Sequence, residues 1–376
     1  MFFLLLAIAA LCRQSWRGGE PLDLARVPRF LALAASTWIG LAIVSLAWSV
    51  DAGYTLAELR REILYGALAF IALFAGTRTP AQLHLWVAML FGGALLLGIG
   101  EWLRFLLPGV SWARTVSMGP GPYSTQVVLL APLLVILAWR APVGLARGLG
   151  VTLAAGATLV VAGIAGDSRI LWVALLASAV TAFAAFWMMG PLQPASRRLA
   201  RRALFLALVL LPALMLIATE YKLRFYPGAA STLESFALDE RPIIWKVAVA
   251  FAAERPWLGH GYGREIIGAR FREELGKLVH NQPYHHGHNV VLDAQLQMGV
   301  PGVAAFALLM AALAMGFLAA GRREGGAPLA IVGLAMLTGY LTKSMTDDFF
   351  FRPNSLVFWA IAGMLLGLAA RLPQNR

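Results

Sequence analysis

The sequence predicts an all-α polytopic membrane protein, and three observations carry that prediction. The chain is 60% hydrophobic but only 13% charged, where a soluble domain carries about a quarter charged residues. Its mean hydropathy is +0.72. Its apolar residues fall in continuous runs of Leu, Ala and Gly that do not alternate, so the pattern of a membrane barrel is missing.

Taken in order, membrane spans are expected near 2–12, 30–49, 64–76, 84–103, 123–139, 148–165, 170–190, 201–218, 301–320, 329–345 and 353–370. Several fall short of the roughly 20 residues that cross a bilayer. Their flanks must supply the missing turns, as Glu58-Leu59-Arg60-Arg61 would for the third. A single short run also reads as a re-entrant piece or a buried soluble-type helix, but eleven in 376 residues read as a bundle. The first span ends at Cys12-Arg13 without a basic leader or a small-residue cleavage site, so no removable signal peptide is expected. An odd span count puts the N-terminus outside, and a further helix ahead of the first is expected. The division that follows is helices 1–8 over 1–218, a loop domain over 219–300, and helices 9–11 with a tail over 301–376.

Basic residues orient the bundle. Arg13, Arg17, Arg26 and Arg29 share one connection, and Arg140 and Arg147 another. Arg197, Arg198, Arg201 and Arg202 crowd a third, Arg322 and Arg323 a fourth, and Arg371 and Arg376 the tail. Span counting puts them all on one side, which the lysine and arginine bias makes cytoplasmic. Arg60 and Arg61 run against the rule. Residues 219–300 and the turn Gly166-Asp167-Ser168-Arg169 are then extracytoplasmic. The net charge of +12 largely follows from this topology, so no nucleic-acid partner is expected. One cysteine excludes an internal disulfide and a multi-cysteine metal site.

The polar chemistry is concentrated in 219–290, with nine Lys/Arg against eight Asp/Glu. Near-neutral overall, this loop must work through particular side chains. Helices are expected over Glu240–Ala253 and Ile266–Leu278. Between them, Glu254-Arg255-Pro256-Trp257-Leu258-Gly259-His260-Gly261-Tyr262-Gly263 reads as a sharp turn. Four of the six histidines lie within His280 to His288.

The spacing of this last segment resembles a family. His288-Asn289, nine further residues, Gly299, two more and Gly302 are similar to the signature of the bacterial O-antigen ligases. Those enzymes are grouped with the O-antigen polymerases and protein O-oligosaccharyltransferases. Arg241-Pro242-Ile243-Ile244-Trp245-Lys246, the 255–263 turn and Asp167-Ser168-Arg169-Ile170-Leu171-Trp172 resemble other parts of the same family. The resemblance implies a GT-C-type glycosyltransferase bundle of about 11–12 helices with a large periplasmic loop in the inner membrane. It implies transfer of O-antigen from undecaprenyl diphosphate to lipid A–core, with no cofactor and no metal. It also implies that Arg169, Arg241 and His288 are the essential trio.

Elementary chemistry agrees with those roles. Diphosphate is a good leaving group once its charge is met, and arginine forks onto phosphate without losing its proton. Imidazole titrates in the range a general base needs. His288 is therefore expected as general base, with Arg169 and Arg241 on the donor diphosphate. Direct attack inverts the anomeric centre. Further substrate contacts are expected from Arg255, His260, Tyr262, His286, Asn289 and Arg352.

Each role has a plainer competitor. His288 also reads as a helix cap, Arg169 as a residue snorkelling from a helix end, and Arg241 as one half of a surface pair with Asp239 or Glu240. The run His285-His286-x-His288 reads as a zinc site, but adjacent histidines diverge and no carboxylate or cysteine sits at helpful spacing nearby. His260 and His280 read as structural or acceptor-contacting, Arg264 as a solvated residue before a secondary phosphate contact, and Trp245 and Trp257 as an aromatic belt as much as sugar platforms. Glu101 and Arg104 read as an outer pair. Asp347, Asp348 and Arg352 share the outer side and are available to meet the acceptor or close the site. Polymerase and protein O-oligosaccharyltransferase activities remain as relatives. A polyprenol-glycan flippase calls for charged or polar residues at mid-membrane, whereas the span interiors are almost free of charge.

Overall fold

The computed structural model describes residues 24–107, 110–111, 119–138, 156, 168–190, 194–225, 241–268 and 285–374. The expected spans 2–12 and 148–165, most of the expected helix 266–278, and Asp167 and His280 lie outside them. Within them the helices run α1 Arg29–Val44, α2 Ala52–Glu58, α3 Tyr65–Gly76, α4 Pro80–Leu106, α5 Pro120–Leu130 and α6 Leu134–Ala138. They continue as α7 Arg169–Met189, α8 Pro194–Phe225, α9 Arg241–Glu254, α10 Val290–Gly321, α11 Ala327–Ser344 and α12 Arg352–Ala369. Six helices among the described residues are long and apolar enough to cross a bilayer. The protein is an all-α, multi-pass membrane protein.

The elements have local causes. Asp51 caps α2 by accepting the Tyr54 N–H at 2.8 Å. Thr79 and Gln82 form a reciprocal capping box at the start of α4. The short third span is completed backwards, because a π turn over Leu59–Leu64 joins α2 to α3. The supposedly misplaced Arg61 lies on this turn, paired with the buried Glu58 at 2.9 Å.

The chain forms two compact units. The first comprises Met1–Gly76, Asp239–Gly316 and Ser344–Gly367, and the second Thr77–Leu238, Phe317–Lys343 and Leu368–Arg376. Residues Asp239–Gly316 group with helices from both ends of the chain.

The reason is backbone hydrogen bonding in the first unit. Helix α10 is broken at Met298 and Gly299, where φ is −133° and 65°. The break frees carbonyls that would otherwise lie unpaired in an apolar setting. The 254–263 turn satisfies them: His260 N–H donates to Leu296 O at 2.8 Å and Gly261 N–H to Gln297 O at 2.9 Å. On the other side, Trp48 Nε1–H donates to Leu258 O at 2.7 Å and Val50 N–H to His260 O at 2.9 Å. Apolar packing seals the arrangement, with Ile266, Ile267 and Leu296 buried against Ala248, Phe251 and Ala252 of α9.

Gly259, Gly261, Gly263 and Gly299 all have positive φ. A Cβ on Gly299 would collide with the backbone of Pro256 and Trp257. Gly299→Ala is therefore expected to cost at least about 2 kcal/mol, through backbone strain and overlap together. Thermal unfolding of the detergent-solubilised protein checks this, and an unchanged midpoint would contradict the close approach.

In the second unit, α7 packs along α8 and α5, and α4 along α5. Glu101 pairs with Arg104 at 3.1 Å, as expected, and also accepts the Gly119 N–H. Gly339 lets α11 come close: its added Cβ would lie 3.0 Å from Val128 Cγ1, 3.1 Å from Ser178 Cβ and 3.3 Å from Ala174 O.

Candidate functional site

The site grows from the five residues ahead of α10. Asn289 Oδ1 accepts the N–H groups of Val291 and Leu292 at 2.9 and 3.2 Å, which is the work of an N-cap. Its Nδ2 donates to Met345 O at 2.9 Å, tying this helix start to the loop after α11. Gly287 N–H donates to the buried Asp293 at 2.6 Å. Trp245 Nε1–H of α9 reaches His288 O at 3.4 Å. Arg241 lies four residues before Trp245, hence on the same face of α9.

Those constraints hold His288 at φ 48°, a conformation rare for residues other than glycine. Arg352, also at φ 48°, is the other such residue among those described. Its N–H donates to both carboxylate oxygens of Glu62, at 2.8 and 3.0 Å. Strain of this kind costs about 1–3 kcal/mol per residue and gathers at functional sites.

At the centre stands Asp347 Oδ1. It lies 2.8 Å from His286 Nε2, 3.3 Å from His288 Nδ1 and 2.8 Å from Arg264 Nη2. The two imidazoles stack with centroids 4.0 Å apart. Arg264 rests on the Phe351 ring, whose centroid is 4.8 Å from its Cζ, and Arg352 on the same ring at 4.4 Å. Burial alone would raise the Asp347 carboxyl, but the two histidines and the guanidinium outweigh it and hold it well below the usual range. His286 is pushed down to about 3, first by burial and then by Arg264 and His288, against the pull of Asp347. It is therefore a neutral ring at physiological pH. Asp348, next in the chain, is pushed up to about 6 chiefly by its burial.

A chemical consequence follows for His288. With Nδ1 turned to an ionised carboxylate, that nitrogen carries the proton and Nε2 keeps the basic lone pair. This is the tautomer a general base requires.

His286, His288 and Asp347 also have the makings of a metal site, with donor atoms within 4.8 Å of one another. Arg264 argues against that use, since its guanidinium already holds Asp347 Oδ1 and touches His286 Nε2. A divalent ion would have to displace or repel it. Transfer by the purified protein is expected to be unchanged by EDTA. Loss of activity restored by zinc would assign the triad to a metal.

Other expectations change on the structure. Arg264 is buried in the site, not solvated, with a side chain 13% exposed. The carboxylate that the histidine run lacked locally arrives from Asp347, more than fifty residues on. His260 lies on the inner side of the turn. Its ring is buried, with Nε2 3.0 Å from Phe251 O, and burial lowers its pKa. It props the turn from inside. Asn289 likewise serves as cap and tie. Arg255 is exposed and reaches Trp48 O at 3.5 Å, and Trp257 is exposed too.

Tyr262 is buried and faces a polar chamber of about 30 Å³ with Glu62, Arg264, Gln297 and Asp348. It shares Trp38, Glu62, Phe306 and Phe350 with an apolar cavity of about 360 Å³, lined also by Leu31, Phe70, Leu309 and Trp359. Arg241 and His288 belong to the first unit, and Arg169, first residue of α7, to the second.

Residues 154–307 match the family model for O-antigen ligase. This stretch is similar to O-antigen ligases. It carries Arg169, Arg241, Arg264, His286 and His288, whereas Asp347 and Arg352 lie beyond its matched end. Among curated proteins none matches the chain.

Proposed function

We propose that this protein joins O-antigen polysaccharide to lipid A–core at the periplasmic face of the bacterial inner membrane, taking the glycan from undecaprenyl diphosphate. The observation that carries this reading is the His288–Asp347 pair, 3.3 Å apart, with its histidine inside the stretch that matches O-antigen ligases.

In this mechanism His288 Nε2 removes the proton from an acceptor sugar hydroxyl as the oxygen attacks the anomeric carbon. The bond from that carbon to the diphosphate oxygen breaks, its electron pair leaves on the diphosphate, and the centre inverts. Asp347 steadies the imidazolium that forms. Arg169 and Arg241 bind the diphosphate and meet its growing charge, worth most where water is scarce. Arg255 and Arg352 are exposed cations suited to further phosphate contacts. The apolar cavity suits a stretch of lipid chain. No covalent glycosyl-enzyme and no metal enter the reaction.

Reconstituted transfer tests the proposal. Protein in liposomes receives glycan-loaded undecaprenyl diphosphate together with O-antigen-free lipid A–core, a second lipid-linked glycan or a pilin-like protein. Product on lipid A–core is the expected result. Product on the lipid-linked glycan would make the protein a polymerase, and product on the pilin a protein O-oligosaccharyltransferase. Glycan moved across the bilayer without any product would make it a flippase.

A further inference from the structure

We infer that Lys343 is a positioning residue for Arg169, holding the start of α7 in place through Ser168. The inference rests on the reading of Arg169 as a donor-diphosphate ligand.

Lys343 is 1% exposed, a setting in which a lysine charge is costly unless a specific interaction compensates it. It stands in the last turn of α11, where the negative end of the helix dipole favours a cation. Its Nζ donates to Ser168 Oγ at 2.9 Å. Ser168 occupies the N-cap position of α7, yet its side chain caps no N–H of that helix. A serine there ordinarily accepts a first-turn N–H. Here the ammonium takes the hydroxyl instead, and the very next residue is Arg169.

Packing makes the contact a rigid one. Gly339, one turn before Lys343, is where α11 meets Ala174 and Ser178 of α7 without a side chain between. From that close approach the two helices run on to the Lys343–Ser168 contact. Loss of the ammonium would free the Ser168 hydroxyl to cap α7 and let the Arg169 backbone shift. It would also remove a positive charge from beside a helix N-terminus, the end that favours phosphate.

Donor affinity is the quantity that should respond. In proteoliposomes, Lys343→Met is expected to raise the KM for glycan-loaded undecaprenyl diphosphate about tenfold, the size of one charge-assisted hydrogen bond. Binding of glycan-free undecaprenyl diphosphate should weaken by the same factor, with kcat and the KM for lipid A–core little changed. Lys343→Arg should restore most of the loss. Ser168→Ala should reproduce part of it, and the double variant Lys343→Met/Ser168→Ala should be no worse than Lys343→Met alone.

A folded Lys343→Met protein with wild-type donor KM would overturn the inference. So would a Lys343→Arg variant as impaired as Lys343→Met, which would mean that shape rather than charge matters. If Lys343→Met does not fold, Ser168→Ala decides, and an unchanged donor KM there overturns it. Arg169→Ala, run alongside, tests the underlying reading separately. Wild-type donor affinity in that variant sinks the role of Arg169, whatever Lys343 does.

Discussion

Replacing His288 by alanine is expected to lower glycan transfer by about 10²–10⁴-fold, the usual worth of a positioned general base. The loss should appear in kcat with donor binding preserved, because the ring acts on the acceptor hydroxyl and not on the diphosphate. Alanine also removes a side chain held at φ 48°, so the variant's fold needs its own check. His288→Asn keeps a polar side chain of a type that tolerates this conformation and should be as inactive as His288→Ala. Single-turnover transfer to lipid A–core, measured beside binding of glycan-free undecaprenyl diphosphate, separates the two effects. Undiminished transfer would remove His288 from the chemistry and leave it as a structural residue of the 285–289 loop.

Asp347→Asn should be nearly as damaging, with a loss of about 10²-fold or more, for a different reason. The carboxylate accepts from His288 and so requires the Nδ1–H tautomer. An amide of the same shape can present its NH₂ to Nδ1 instead. The proton then moves to Nε2, and the nitrogen that should take the acceptor's proton is already occupied. Asparagine also removes the anion that balances Arg264, 2.8 Å away, and that supports the imidazolium in the transition state. Asp347→Glu, which keeps the charge but lengthens the reach, should retain more activity than Asp347→Asn. Transfer rates of the three proteins decide this; an Asp347→Asn variant within a few-fold of wild type would reduce Asp347 to a bystander.

Much of this architecture is legible in the sequence, for physical reasons. Long apolar runs have few destinies in a bilayer, so spans such as 84–103 and 170–190 reappear as α4 and α7. The proline and glycines of 256–263 demand a turn, and positive φ at Gly259, Gly261 and Gly263 supplies the reason. What is not legible is contact between segments far apart in the chain. Nothing local to His286 and His288 announces Asp347 as their partner, because it arrives on the loop between α11 and α12. Arg264 looked solvent-facing because a charge after a glycine turn usually is. Only the packed unit reveals that Phe351 and Asp347 enclose it. The same distance effect hid the partners of His260, which are a helix carbonyl and the broken end of α10. It also hid the partner of Ser168, which lies on α11.

One consequence of the break in α10 concerns length rather than contact. Between Asn289 and Gly299 the chain is almost wholly helical, anchored below by the 254–263 turn and above by the Asn289 tie to Met345. A helix converts residue count into angle as well as distance, about 100° and 1.5 Å for each residue. One residue inserted or deleted in this interval would leave every side chain of the centre intact. It would nonetheless swing His288 by more than a quarter turn relative to the bilayer-spanning half of the same helix. The nine-residue interval is therefore a phase setting, and the imidazole is aimed by arithmetic as much as by its neighbours.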